Sequence, residues 1–360
     1  MIENAVAPWP PRQSIAARGR HTARRLARTA RAMLTVAALA ATALTAVAPA
    51  VEAAPANSVA PVESAGCHAP AIPSGQSTRH FSAAGRSGTY IQDVPPATSH
   101  PLPLVFDLHG YLELAVLQHE GSGLGPYGDS HGFTTITPQI DESGLPRWDF
   151  SPNSADVSYL AQLMSQVEAT SCIDLRRVYV AGLSMGAFTT SSLACQLSDR
   201  IAAIAPVAGL QNFTWCRTQR PVPIVAFHGT ADPLVAYGGG QGANARYLPA
   251  PDGGSSSGPQ NGPGPTDIPG NAAAWARRNG CTGQPRQRAV AADVSLTTYQ
   301  CPANATVELY TVLGGGHTWP GHPSIVSPTP LVGETTTSID ATATMWDFFR
   351  AHPLTGAVHG

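Results

Sequence analysis

The pentad Gly182-Leu183-Ser184-Met185-Gly186 lies between an apolar β-like run at 178–181 and a helical pattern at 185–197. No other feature of the chain constrains the fold as strongly. Passing from strand to helix through one residue forces a sharp turn, with the middle residue in a strained backbone conformation. Side chains two positions away on either side would collide, which is why glycine is expected at 182 and 186. The apical Ser184 then stands at a helix N-terminus, where the partial positive charge favours a developing anion.

The same alternation runs through the rest of the sequence. Short apolar runs at 89–94, 104–108, 133–137, 178–181, 202–207, 224–227 and 307–313 read as strands. Helical spacing appears at 155–169, in the amphipathic run at 185–197, at 272–278 and at 341–349. Nearly continuous apolar strands separated by helices predict an α/β chain, with a mostly parallel sheet covered by helices on both faces. Residues 54–75 read as a flexible lead-in, and residues 76–353 as one catalytic domain. Within that domain, 249–265 is mostly Pro, Gly and Ser with almost nothing to bury, which predicts a flexible surface loop.

Charge is unevenly distributed. All 21 basic residues are arginine, and seven of them precede residue 54, against two acidic residues there. The remainder carries 14 basic and 21 acidic residues, an acidic body with no basic stripe, which argues against a nucleic-acid partner. The basic start is followed by an apolar run at 34–47 and then by small residues around Ala48-Pro49-Ala50. That pattern predicts an export signal over 1–53, too short in its apolar part to span a bilayer, so that no membrane attachment is expected after cleavage. Arg24-Arg25 is a weak twin-arginine pair. Six cysteines, an even number, follow the signal and favour disulfides in an oxidising compartment. Cys281 with Cys301 is the expected pair, flanking a helix end and a nearby hairpin. No C-x-x-C spacing is present, and no metal is expected.

A serine hydroxyl is a poor nucleophile near neutral pH and needs a base, which in turn needs an orienting acid. In this strand-turn-helix context the order should be Ser, Asp or Glu, then His, each just past a strand end. Asp232 follows the run at 223–227, and His317 follows 307–313 through Gly314-Gly315-Gly316. Asp252, Asp267 and His322 are fallback partners. The backbone N–H groups of Met185 and of Tyr111, in the loop after 104–108, are the expected oxyanion donors. Trp319 and Trp148 are candidate walls of a substrate pocket.

The ordered segments LHGY (108–111), DLRRVYVAGLSMGAF (174–188), HGTADPLV (228–235), AWARRNGC (274–281), GGGHTWPG (314–321) and WDFF (346–349) resemble the secreted polyhydroxybutyrate-depolymerase-like and feruloyl-esterase-like branch of carbohydrate esterase family one. The resemblance spans about 67–352. It implies an α/β-hydrolase fold, a Ser184–Asp232–His317 triad, an oxyanion hole from Met185 and Tyr111, and extracellular cleavage of acyl esters without a cofactor. Substrates would be esters, polymeric ones (polysaccharide or polyester) included, and the chain is expected to act as a monomer. Two alternatives stand beside hydrolysis: acyl transfer to a hydroxyl through the same triad, and a polysaccharide-binding relative without catalysis.

Overall fold

The computed structural model describes residues 59–96, 101–141, 144–250, 264, 266–323, 327–356 and 358. The expected export signal, Asp252 and most of the 249–265 loop lie outside the described residues.

Among the described residues ten strands form one sheet: β1 (Gly75–Ala83), β2 (Arg86–Val94), β3 (Leu102–Leu108), β4 (Thr134–Ile140), β5 (Ile173–Leu183), β6 (Ala203–Val207), β7 (Ile224–Gly229), β8 (Arg286–Ala291), β9 (Val294–Thr298) and β10 (Val307–Val312). Their spatial order is β1-β2-β4-β3-β5-β6-β7-β10-β9-β8. The central run from β4 to β10 is parallel, while β1, β2, β8 and β9 pair antiparallel at the two edges. With β10 in the eighth place, this is the strand order of the α/β-hydrolase fold.

Among the described residues seven α-helices accompany the sheet: α1 (Ala115–Ser122), α2 (Leu124–His131), α3 (Ala155–Thr170), α4 (Met185–Gln196), α5 (Ile268–Arg278), the single turn α6 (Thr329–Val332) and α7 (Ala341–Ala351). Alternation along β5 explains the two-sided core. Val178 and Val180 join Leu163 of α3, Phe188 of α4 and Trp275 of α5 in one apolar cluster. Tyr179 and Ala181 join Met345 and Phe349 of α7 in the other. The predicted two-faced covering is what the chain builds.

Local chemistry sets the helix starts. Ser154 Oγ caps α3 by accepting from Val157 N at 3.1 Å, and Asp267 caps α5 by accepting from Gly270 N at 2.6 Å. Helix α4 departs from its amphipathic reading, because every residue from Met185 to Cys195 is buried. It runs beside β3, β5 and β6 with Ala, Thr and Ser where a surface helix would carry charge.

Three disulfides join Cys67–Cys172, Cys195–Cys216 and Cys281–Cys301, the last being the expected pair. The segment read as a flexible lead-in is fastened from Val59 onward, where Val59 O accepts from Arg177 Nη2 at 3.2 Å. Val62 N donates to Asp174 Oδ1 at 3.0 Å, Ser64 Oγ donates to Ser171 O at 2.9 Å, and Cys67 is covalently tied to the start of β5.

Candidate active site

Strand β5 ends at Leu183 and α4 begins at Met185, leaving Ser184 alone at the apex with φ 58° and ψ −118°. Serine is rarely found there, and surrounding structure must hold it. Ser184 N donates to Val207 O at 3.0 Å, and Ser184 O accepts from Phe188 N at 3.0 Å. The glycine requirement is steric. A β-carbon on Gly186 would lie 2.1 Å from Leu108 O, and one on Gly182 would lie 2.7 Å from Gly186 O. Leu183, the last residue of β5, lines the cavity wall.

Asp232 and His317 meet because two strand-end loops are stitched together. Thr230 N donates to Val312 O at 2.8 Å, Ala231 N donates to Gly315 O at 2.9 Å, and Gly314 N donates to Thr230 Oγ1 at 2.8 Å. Gly316 packs so tightly that a β-carbon would lie 2.2 Å from Val332 O. His317 Nδ1 then stands 2.8 Å from Asp232 Oδ2. The carboxylate's other oxygen accepts from Leu234 N and Val235 N, both at 2.9 Å. His228 Nε2 lies 3.2 Å from Oδ2 while also donating to Val235 O at 2.9 Å.

Burial alone would raise the Asp232 pKa. The charge of His317 and the hydrogen bonds from His228 and His317 outweigh that effect and hold the carboxyl well below its usual range. An ionised carboxylate can only accept, so Nδ1 of His317 carries a proton and donates it to Asp232. Ser184 and His317 line one cavity.

The loop after β3 is fixed from several sides. His109 is fully buried, which pushes its pKa down to about 4, so the neutral ring donates from Nδ1 to Gly110 O at 2.8 Å. Gly110 N donates to Glu113 Oε2 at 2.7 Å, Leu112 N donates to Pro146 O at 2.9 Å, and Tyr111 OH donates to Pro249 O at 2.8 Å. Met185 N is the first amide of α4, one of the donors a helix cannot satisfy internally.

The cavity, about 150 Å³, is mostly apolar, with Leu117, Leu234, Leu248 and Trp319 among its walls alongside Ser184 and His317. Trp319 is among the cavity walls, its Nε1 donating to Thr342 Oγ1 at 2.9 Å. Trp148 is not. It is 1% exposed, packs on the His109 ring and donates from Nε1 to His109 O at 2.9 Å, so it braces the loop from the core. Of the fallback residues, Asp267 caps α5, and His322 lines the cavity with Asp340 3.4 Å away. Among the described residues, no cluster of three or more His, Cys, Asp or Glu is suited to a metal ion.

Two residues at this centre escaped the sequence reading. His228 contacts Asp232 from four positions earlier, and Glu113 grips Gly110 from three positions later. Both lie within a turn of residues already singled out, and that proximity was the available signal.

No protein-family model matches the chain. It is 32% identical over 226 residues to feruloyl esterase B of Piromyces equi, an alignment covering 60% of this chain and 39% of that protein. It is 34% identical over 135 residues to the bifunctional acetylxylan esterase/xylanase XynS20E of Neocallimastix patriciarum, covering 38% and 20%. With poly(3-hydroxyalkanoate) depolymerase C of Paucimonas lemoignei it shares 32% identity over 127 residues, covering 33% and 30%. The matches thus span at most about two fifths of these relatives' own length. Among solved structures, the acetyl xylan esterase from Aspergillus awamori aligns over 67% of this chain and 94% of that one, with 16% identity and a TM-score of 0.49. In sequence, then, the curated homologues of this chain include feruloyl esterases, a bifunctional acetylxylan esterase/xylanase, a poly(3-hydroxyalkanoate) depolymerase and a putative esterase.

Proposed function

We propose that the chain is a secreted serine esterase that cleaves acyl esters through an acyl-enzyme on Ser184. The observation that carries this reading is the 2.8 Å contact of His317 Nδ1 with the buried Asp232 carboxylate, His317 lining the same cavity as Ser184 at its strained apex. His317 Nε2 takes the Ser184 proton as Oγ bonds to the ester carbonyl carbon, and the resulting oxyanion is held by Met185 N–H and Tyr111 N–H. The imidazolium then protonates the departing alcohol as its C–O bond breaks. Water reverses the exchange, releasing the acid and restoring the serine.

Residues 1–53 serve as the export signal in this reading, and 76–353 as the catalytic domain. Three disulfides with no free cysteine among the described residues support an oxidising destination. The substrates are feruloyl or acetyl esters on polysaccharide, or polyhydroxyalkanoate esters, the classes that the homologues' names span. A panel of methyl ferulate, acetylated xylan, short p-nitrophenyl esters and polyhydroxybutyrate emulsion tests the reading. Turnover of at least one ester, abolished in a folded Ser184→Ala variant, is expected; full activity in that variant refutes it.

A further inference from the structure

The turn after β3 contains a carboxyl group that the scheme above does not use. Glu113 is half-buried on the cavity wall and reaches back three residues to Gly110. Its Oε2 accepts from Gly110 N at 2.7 Å, and its own N–H donates to Gly110 O at 3.4 Å. A β-carbon placed on Gly110 would lie 3.0 Å from Glu113 Oε2 and 3.4 Å from Ser184 Cβ, so carboxyl and nucleophile flank the same glycine.

The two peptide planes meeting at Gly110 are therefore both held. The plane shared with Tyr111 carries Gly110 O on one side and Tyr111 N–H on the other, because the peptide is planar and trans. Bonding Gly110 O to His109 Nδ1 and Glu113 N directs the Tyr111 N–H the opposite way. The preceding plane is anchored through Gly110 N, whose bond is to the Glu113 side chain. Glycine is the residue whose backbone most needs such restraint.

An electrostatic benefit is hard to reconcile with this position. A carboxylate beside a developing oxyanion opposes it. Burial raises the Glu113 pKa, with the Gly110 hydrogen bond and the His317 charge pulling the other way.

We propose that Glu113 is a positioning residue, whose side-chain oxygen locks the Gly110 backbone and so aims the Tyr111 amide at the oxyanion. The inference rests on the esterase reading above. Its test measures kcat and KM on a short p-nitrophenyl ester for the wild type and for Ser184→Ala, Glu113→Ala, Glu113→Gln and Glu113→Asp, with a melting temperature for each. Glutamine keeps an acceptor at the same reach, whereas aspartate keeps the charge and loses the reach. The expectation is that Glu113→Gln stays within about threefold of wild-type kcat with an unchanged pH profile. Glu113→Asp and Glu113→Ala should lose about 10- to 100-fold in kcat with little change in KM, the cost of a donor displaced by about an ångström. Rescue by aspartate but not glutamine, or full kcat in both Glu113→Asp and Glu113→Ala, overturns the inference. Should Glu113→Ala fail to fold, the Gln and Asp variants decide alone. A wild type without turnover, or an active Ser184→Ala, refutes the esterase reading instead.

Discussion

Replacing Asp232 with asparagine removes one charge and leaves the shape of the site almost unchanged. Oδ1 accepts two backbone N–H groups at 2.9 Å, so the amide oxygen of the variant must take that side. The NH2 group is then forced into the place of Oδ2, 2.8 Å from His317 Nδ1 and 3.2 Å from His228 Nε2. An N–H facing Nδ1 has to donate, so the His317 proton moves to Nε2, the nitrogen that accepts from Ser184 in the proposed mechanism. His228 still has Val235 O at 2.9 Å, so the core there is not orphaned. Inverting the tautomer costs triads of this kind about 10⁴ in kcat, or about 5.5 kcal/mol of transition-state stabilisation. The assay is kcat on a short p-nitrophenyl ester from pH 5 to 9, with thermal melting to establish folding. Because Asp232 is held ionised far into acid, its protonation does not set the acid limb of the wild-type profile. A folded Asp232→Asn within tenfold of wild type at every pH would refute the tautomer argument.

Two further outcomes concern stability. Removing the Cys67–Cys172 bridge with a paired serine substitution opens a loop of 105 residues. Loop-closure entropy puts the loss at up to about 4.7 kcal/mol, read by urea unfolding; a loss under about 1 kcal/mol contradicts the view that the lead-in is structurally tied. Asp107 is fully buried with Gln118 Nε2 and Ser122 Oγ each donating to it at 2.6 Å, and burial pushes its pKa up to about 7. A raised folded pKa means the stability it contributes is complete below the unfolded value near 3.9 and lost as pH rises through about 7. The stability of Asp107→Asn relative to wild type should therefore grow between about pH 4 and 7 and level off above, by at most about 4 kcal/mol. A difference that stays flat from pH 4 to 8 refutes that assignment.

What was legible in the sequence was local or ordered. The apex at Ser184 was readable because strand, glycine pair and helix are contiguous, and Asp232 and His317 because each follows an apolar strand in the right order. Edge elements were not. In β1, half-buried and exposed positions alternate along a polar segment, and β8 is exposed over almost its whole length, held by antiparallel pairing to β9. Pairing at an edge needs backbone partners more than apolar side chains, so the pattern carries little signal. Helices α1 and α2 are eight residues each and rich in Gly, Ser and His. Trp148 was misassigned because its contact to His109 spans 39 residues, a distance across which composition says nothing. Glu113 and His228 reach Gly110 and Asp232 from three and four residues away, contacts within a turn that no apolar pattern marks.

The central claim is that the hydroxyl at the strained apex is the activated nucleophile. Incubating the folded, signal-free protein with a fluorophosphonate probe and mapping the adduct by peptide mass spectrometry tests it most directly. The account predicts one stoichiometric adduct on the peptide containing Ser184, slowed by orders of magnitude in Asp232→Asn. Absence of labelling, or an adduct on any other residue, would contradict it.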